Sequence, residues 1–329
     1  MKKDFQLSKV GIICDISGKD DEGMKKVARN LAVVINAYPD YAVDTISTWD
    51  CLKLTSDYDI FHFIGGPTYK TIVVSFVCRL LNSKLKTFLT FTNPFLGRLS
   101  LKLLSFFRPT LCLVSSKKWF YILKDLDVPV TILNVSGVNT KKFLPVKEEK
   151  KRGLRKKLNL PDDSLVVLHV GHLKRDRNLS ALLTLQKDPD VQIVIVGSTT
   201  TNQSIEEVKI LDDAGCIVVT DYIPCIEEFY QSADCYIFPT ISERAAIQIP
   251  LSILEALAVG IPVITTEFGG LKDVLGNYGG KIRYFHKNEF GILNKLIKKH
   301  VQGEKYSLDE AASIEWDHIA SQLVALYEK

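Results

Sequence analysis

Residues 165–197 read LVVLHVGHLKRDRNLSALLTLQKDPDVQIVIVG. The apolar runs 165–170 and 192–196 have the look of short buried strands, and they end at Gly171 and Gly197. Residues 178–186 between them carry helical spacing. Strand, helix and strand in so short a stretch predict one parallel β-α-β unit.

The same rhythm extends in both directions. Toward the C-terminus the pattern predicts strands at 216–219, 233–238 and 262–265, and helices at 226–232 and 250–259. In the first half it predicts strands at 10–14, 59–63, 87–91, 111–115 and 131–135, with helices at 23–37 and 117–126. A break separates the halves: Ser136-Gly137 ends a strand, Pro145 interrupts the chain, and residues 147–157 form the charge run KEEKKRGLRKK. The fold class is therefore α/β, with two doubly wound Rossmann-like domains facing each other across a cleft. The first domain is placed at 1–140 and the second at 150–315.

Size and composition agree with this. The chain has 329 residues, 46% apolar and 24% charged, enough for two domains. Runs such as 71–77 and 111–114 are far too short for a bilayer, which needs about 20 residues. The N-terminal MKKDFQLSKVGIICDIS has no apolar signal core with a cleavage site, so a cytoplasmic location is expected. Seven cysteines form no C-x-x-C pair, and several lie within apolar strands, which argues against a disulfide framework or a zinc site. The net charge of +4 is uneven: residues 1–145 hold 20 Lys/Arg against 12 Asp/Glu, the remainder 22 against 26. That basic half suits either an anionic partner, a membrane surface or a phosphorylated acceptor, or an ordinary solvated surface.

Ligands of open parallel sheets bind beyond the carboxyl ends of strands, so the loops there hold the candidate residues. Gly171 opens a turn followed by His172, Lys174, Arg175 and Arg177, a cluster able to offset a diphosphate. Read alone, it is equally a basic surface loop. Pro250 suits a helix start, and Glu255 is the one acid on the apolar helix that follows. A carboxylate so placed needs partners, which a ribose diol or a neighbouring side chain would supply. Gly269-Gly270 lies at a strand-to-helix turn, where bare amides can approach a phosphate or a sugar.

In register, these segments resemble the retaining glycosyltransferases of the GT-B fold, specifically glycosyltransferase family 4. Residues 134–145 look like N-G-V-D-x-x-x-F-x-P, and 171–178 look like G-R-L-x-x-x-K-[GN]. Residues 233–239 resemble A-D-V-x-x-x-P, 249–262 resemble G-x-P-x-x-x-x-E-A-M-A-x-G-x-P, and 268–274 resemble V-G-G-x-x-E-V. Trp316 and Tyr327 extend the resemblance to the C-terminus, where a helix at about 316–329 is expected to pack back on the first domain. By position, the resemblance makes Glu255 the ribose-binding carboxylate and Arg177 the phosphate-binding cation. Gly171, Lys174, Gly269, Gly270 and Asp273 complete the donor site, with His172 beside the diphosphate. It implies a nucleotide-sugar donor with UDP or GDP, and a glycan or lipid-linked acceptor. It implies no metal, and the Asp-x-Asp strings at Asp57/Asp59 and Asp125/Asp127 read as turn and cap residues.

The chain departs from the family where chemistry is expected. His172 stands for an arginine, Ile247 for the first glutamate of E-x₇-E, and Thr92 for a histidine, while the acceptor-side loop keeps only Gly23. Glu243, four residues before Ile247, is a candidate substitute carboxylate. Two readings follow: an active transferase of hexose-type sugars acting with retention, or an impaired relative serving as a nucleotide-sugar-binding or regulatory subunit. A nucleotide-sugar epimerase would need cleft acid–base residues that the sequence does not offer, and nothing resembles a nucleic-acid-binding module. The segment 80–104 mixes Lys84, Lys86, Arg98 and Lys102 with Leu and Phe. It reads either as peripheral contact with the inner face of a membrane or as core helices bearing exposed cations.

Overall fold

The computed structural model describes residues 7–15, 23–93, 95–198, 203–301 and 309–329, with no side-chain description at 287–288 and 309–310. Residues 1–6 of the first expected domain, 302–308 of the second and Pro94 of the basic-apolar segment lie outside these ranges.

The N-terminal lobe runs β1 (Ser8–Ile13), α1 (Gly23–Asn36), β2 (Tyr41–Ile46), β3 (Ile60–Ile64), α2 (Tyr69–Leu81), β4 (Lys86–Thr90), α3 (Arg98–Phe106), β5 (Leu111–Val114), α4 (Lys117–Asp125) and β6 (Val130–Ile132). Its strands form a parallel sheet in the order β2-β1-β3-β4-β5-β6. The C-terminal lobe begins with α5 (Glu148–Lys157), β7 (Leu165–Gly171), α6 (Ser180–Gln186), β8 (Val191–Gly197), α7 (Ile205–Asp213) and β9 (Ile217–Val219). It continues through α8 (Glu227–Ser232), β10 (Cys235–Phe238), α9 (Leu251–Val259), β11 (Val263–Thr266), α10 (Leu271–Leu275), β12 (Ile282–Phe285) and α11 (Leu293–Val301). Its parallel sheet has the order β12-β11-β10-β7-β8-β9, so the chain reverses direction between β7 and β10. The last helix, α12 (Trp316–Tyr327), packs on α1 and buries Trp316, Ile319, Leu323 and Tyr327 in the core of the N-terminal lobe.

Local chemistry explains where elements start and stop. In α1, Val27, Ala28, Leu31 and Ile35 recur at helical spacing and are buried. The run TIVVSFV within α2 is rich in β-branched residues, yet Thr68 and Thr71 close a reciprocal capping box that starts a helix there. Strand β6 stops three residues before the predicted 135, because Asn134 turns on itself. Its Oδ1 accepts from Ser136 N at 2.9 Å and its Nδ2 donates to Ser136 O at 2.7 Å. Helix α9 follows Pro250 and ends at Gly260, whose φ of 86° is the left-handed stop that glycine tolerates. Two further strands, β2 and β12, edge the sheets and lie outside the predicted set. Among the described residues no helix is long and apolar enough to cross a membrane.

Candidate active site

The reversal between β7 and β10 opens a crevice at their carboxyl ends. A cavity of about 500 Å³ lies there, walled by Gly171, His172, Arg177 and Glu255 of the C-terminal lobe and by Gly23 and Lys26 of the N-terminal lobe.

Arg177 is its most unusual wall residue. It ends a 3-10 turn, Arg175–Arg177, and the next residue, Asn178, takes φ 58° and donates from Nδ2 to Pro239 O at 3.1 Å. That bond fastens the loop to the end of β10. The Arg177 side chain is only 7% exposed and lies 5.9 Å from the Phe238 ring. Its Nε has no hydrogen-bond partner, and no ion pair holds it among the described residues. Burial pulls its pKa below the ordinary arginine value, with Tyr236 and Asp176 only partly offsetting that. A guanidinium stays charged regardless, so a buried cation with no ion pair among the described residues faces this cavity.

Beneath it sits His169, in mid-strand and fully buried. Its Nδ1 lies 2.9 Å from Ile237 O, which makes Nδ1 the protonated nitrogen and Nε2 an acceptor. Nε2 is buried without a partner. Burial lowers the imidazole pKa to about 4, the carbonyl bond opposes this, and the charge of Arg177 lowers it further. Gly171 fits the crowding here: a Cβ would meet His169 Nε2 at 3.3 Å and Arg177 Nη1 at 3.6 Å.

Glu255 is half-buried on α9. Its Oε2 accepts from the Tyr230 hydroxyl at 2.7 Å, while the residue still forms part of the cavity wall. Burial, then the Glu255 charge, holds the Tyr230 pKa well above the ordinary phenol, so Tyr230 remains a donor.

Other predicted site residues sit elsewhere. Lys174 is half-buried and outside the wall. Gly269, Gly270 and Asp273 lie at the seam between lobes. A Cβ on Gly270 would meet Ser115 O at 2.1 Å, and one on Gly269, whose φ is 55°, would meet Gln248 O at 2.5 Å. Asp273 Oδ2 accepts from Lys117 N at 2.8 Å, at the start of α4. Thr92 is buried at the same seam, where its carbonyl accepts from Gln248 N at 2.6 Å and its hydroxyl from Gly66 N at 3.2 Å.

Ile247 reaches the cavity wall and also packs on the N-terminal core, 3.4 Å from the Cβ position of Gly23. Glu243 pairs with Lys118 of α4 at 3.2 Å and lies outside the wall. The Asp-x-Asp strings lie in the N-terminal lobe. Asp59 accepts from Lys9 N at 2.9 Å, and Asp127 pairs with Arg108 at 2.7 Å.

Sequence reasoning missed Gln248. It is 2% exposed, and its Nε2 donates to Phe91 O at 3.0 Å and Asn93 O at 3.3 Å, sewing the two lobes together. It also missed Lys26 and Arg244 of the wall, and His169, whose only signal was a polar residue inside the strand LVVLHV.

Residues 150–307 match the model of a family described as glycosyl transferases group 1. The match lies within the C-terminal lobe. A D-inositol 3-phosphate glycosyltransferase of Paenarthrobacter aurescens is 29% identical over 211 residues, covering 59% of this chain and 50% of that protein. The N,N'-diacetylbacillosaminyl-diphospho-undecaprenol alpha-1,3-N-acetylgalactosaminyltransferase of Campylobacter jejuni is 26% identical, covering 61% of this chain and 54% of its own. The chain spans about half the length of the curated relatives it matches. The two lobes together have the GT-B architecture. Anabaena HepE, solved with UDP and glucose, superimposes with a TM-score of 0.76 at 14% identity, over 98% of this chain and 100% of HepE. Sucrose-phosphate synthase of Thermosynechococcus elongatus gives 0.75 at 16% identity, over 98% of both chains.

Proposed function

We propose that the protein is a glycosyltransferase of family 4 that moves a hexose-type sugar from a UDP- or GDP-sugar, with retention, to a glycan or lipid-linked acceptor. The observation that carries this reading is the Arg177 guanidinium, buried at the cavity wall without a counter-ion among the described residues. A diphosphate is the counter-ion this geometry suits, since a planar fork matches phosphate oxygens. Glu255, its Oε2 held by Tyr230, would accept from the ribose hydroxyls of the same donor. The HepE complexes with UDP and with UDP-glucose support a nucleotide-sugar donor on this architecture.

In the step itself the bond between the anomeric carbon and the phosphate oxygen breaks. The acceptor hydroxyl attacks from the same face, and its proton passes to the departing oxygen. Charge builds on the diphosphate, where Arg177 and His172 would stabilise it without a metal. The seam residues Gly269, Gly270, Asp273 and Thr92, together with Lys174, would approach the substrates only on a movement of the lobes.

A second reading has its own support, because Glu255 is the one carboxylate among the described wall residues: a nucleotide-sugar-binding subunit without turnover. The test is nucleotide release from UDP- and GDP-sugars, with and without acceptors, for the wild type, Arg177→Ala and Glu255→Ala. Transfer cut by about two decades or more in both variants upholds the enzyme. Turnover unchanged in both variants refutes the site, and nucleotide binding without any turnover in the wild type favours the second reading.

A further inference from the structure

Helix α2 (YKTIVVSFVCRLL) is apolar nearly all round although only one side of it is covered. Ile72, Val74, Ser75 and Cys78 face the core, while Tyr69, Val73 and Leu80 stand exposed along the other side. Beside it α3 exposes Leu99, Lys102 and Phe106, which share one face at helical spacing. The helices are joined where they end: the Phe76 and Phe107 rings lie 4.5 Å apart, and Arg79 Nη1 donates to Arg108 O at 2.5 Å. Leu80, Leu99 and Phe106 are each more than 60% exposed on this double-helix face.

The charge there is mainly positive, although Asp15 pairs with Lys70 of α2 and Asp127 with Arg108 after α3. Between Asp59 and Asp125 the chain has no acidic residue and ten Lys/Arg. Lys84, Arg98 and Lys102 are exposed around the apolar row, and none has an ion pair among the described residues. The fold also sorts the basic-apolar segment 80–104. Its middle, β4, is a buried core strand, so the surface character belongs to α2 and α3 on either side.

We propose that the α2–α3 face docks on an anionic phospholipid bilayer. Leu80, Leu99 and Phe106 enter the headgroup boundary, and Lys84, Arg98 and Lys102 meet lipid phosphates. Apolar residues rimmed by cations that have no ion pair among the described residues match that surface in both respects. A second copy fits less well, because a two-fold contact would set this cationic face against itself. Just before α3, the Phe95 ring lies 4.4 Å from Arg244 of the cavity wall. Docking is independent of the transferase reading, since it is measured without any sugar.

The test is co-sedimentation of the full chain with phosphatidylcholine vesicles, with and without phosphatidylglycerol. Binding is expected only with phosphatidylglycerol, and should weaken as salt rises. Each of Lys84→Ala, Arg98→Ala and Lys102→Ala should weaken partitioning about fivefold. The double variant Leu99→Ser/Phe106→Ser should weaken it roughly tenfold or more. Val33→Ser and Ile205→Ser, at exposed apolar residues elsewhere, should change nothing. Circular dichroism checks the fold, and the three cation variants decide the matter if the double variant unfolds. Equal binding to both vesicle types would overturn the proposal. So would full binding by a folded double variant, or a dimer lost in that variant with no vesicle binding at all.

Discussion

His62 in β3 and His169 in β7 occupy comparable places, each in the interior of a strand of one lobe's parallel sheet and each fully buried. The bonds around them differ. His62 Nδ1 lies 2.6 Å from the Tyr327 hydroxyl and Nε2 lies 2.6 Å from Thr90 Oγ1, so both nitrogens are satisfied and α12 is tied to the sheet. His169 satisfies Nδ1 only, and its open Nε2 lies next to Gly171 at a cavity wall shared with an unpaired guanidinium. Unpaired buried polar atoms are costly, and the open network accords with the proposed nucleotide site, whereas the closed one needs no ligand.

The sharpest way to break this contrast is to remove the open cation. Arg177→Ala should cut turnover with a nucleotide sugar by two to three decades, about 2.7–4 kcal/mol of transition-state stabilisation. Its melting temperature should hold or rise, because a desolvated charge is lost. A variant that turns over normally but unfolds earlier would make Arg177 a structural residue like His62.

Next in size is the acid response. Burial holds His62 neutral, with a pKa of about 3, and His169 at about 4, both below the unfolded value of 6.5. Below pH 6.5 the unfolded chain takes up protons that the folded chain refuses. The stabilisation is therefore complete above pH 6.5 and is lost as pH falls toward 4, by roughly 3 kcal/mol for each histidine. Urea titrations at pH 7 and pH 4 should show the loss, and His62→Phe should flatten the slope of stability against pH. Equal stability at both pH values would contradict the burial argument.

The seam comes third. Gly270→Ala drives a methyl into Ser115 O and should cost about 1–3 kcal/mol or push the lobes apart. Small-angle scattering and thermal unfolding would detect either result. An alanine accepted without change in both would mean that the seam has slack at Ser115.

What was legible in the sequence follows from how far each signal travels along the chain. Continuous apolar runs such as 165–170 and 192–196 announce central strands, because both faces are buried. The edge strand β2, YAVDTI, is half polar and gives no such run, and the TIVVSFV of α2 looks like a strand until its Thr68 cap is counted. Arg177 and Glu255 stood out as charges within or beside apolar segments. Gln248 and His169 did not, since their roles come from partners 157 and 68 residues away. Tyr230 was hidden in the same way, 25 residues before the carboxylate it holds. The diglycine showed the opposite failure: its local pattern suggested open amides, whereas Ser115 and Gln248 fill the space around it.

The smallest effect tests whether α5 belongs to the C-terminal lobe. This helix follows the break between the halves, yet Lys151 and Arg155 both reach Asp234 at 2.5 Å, just before β10, and α5 packs on α8. Gly153 lies in its middle, with nothing within 4 Å of the place a Cβ would take. Gly153→Ala therefore adds no clash and removes backbone freedom from the unfolded chain, which should stabilise by about 0.5–1 kcal/mol. If α5 is part of the C-terminal lobe, the gain appears in the unfolding of that lobe, followed by hydrogen exchange of β7 and β10, and is absent from β1 and β3. A gain spread equally over both sheets would mean that the lobes unfold as one cooperative unit. The contrast between His62 and His169 would then lie in their bonding alone and not in the separate stability of the lobes that hold them.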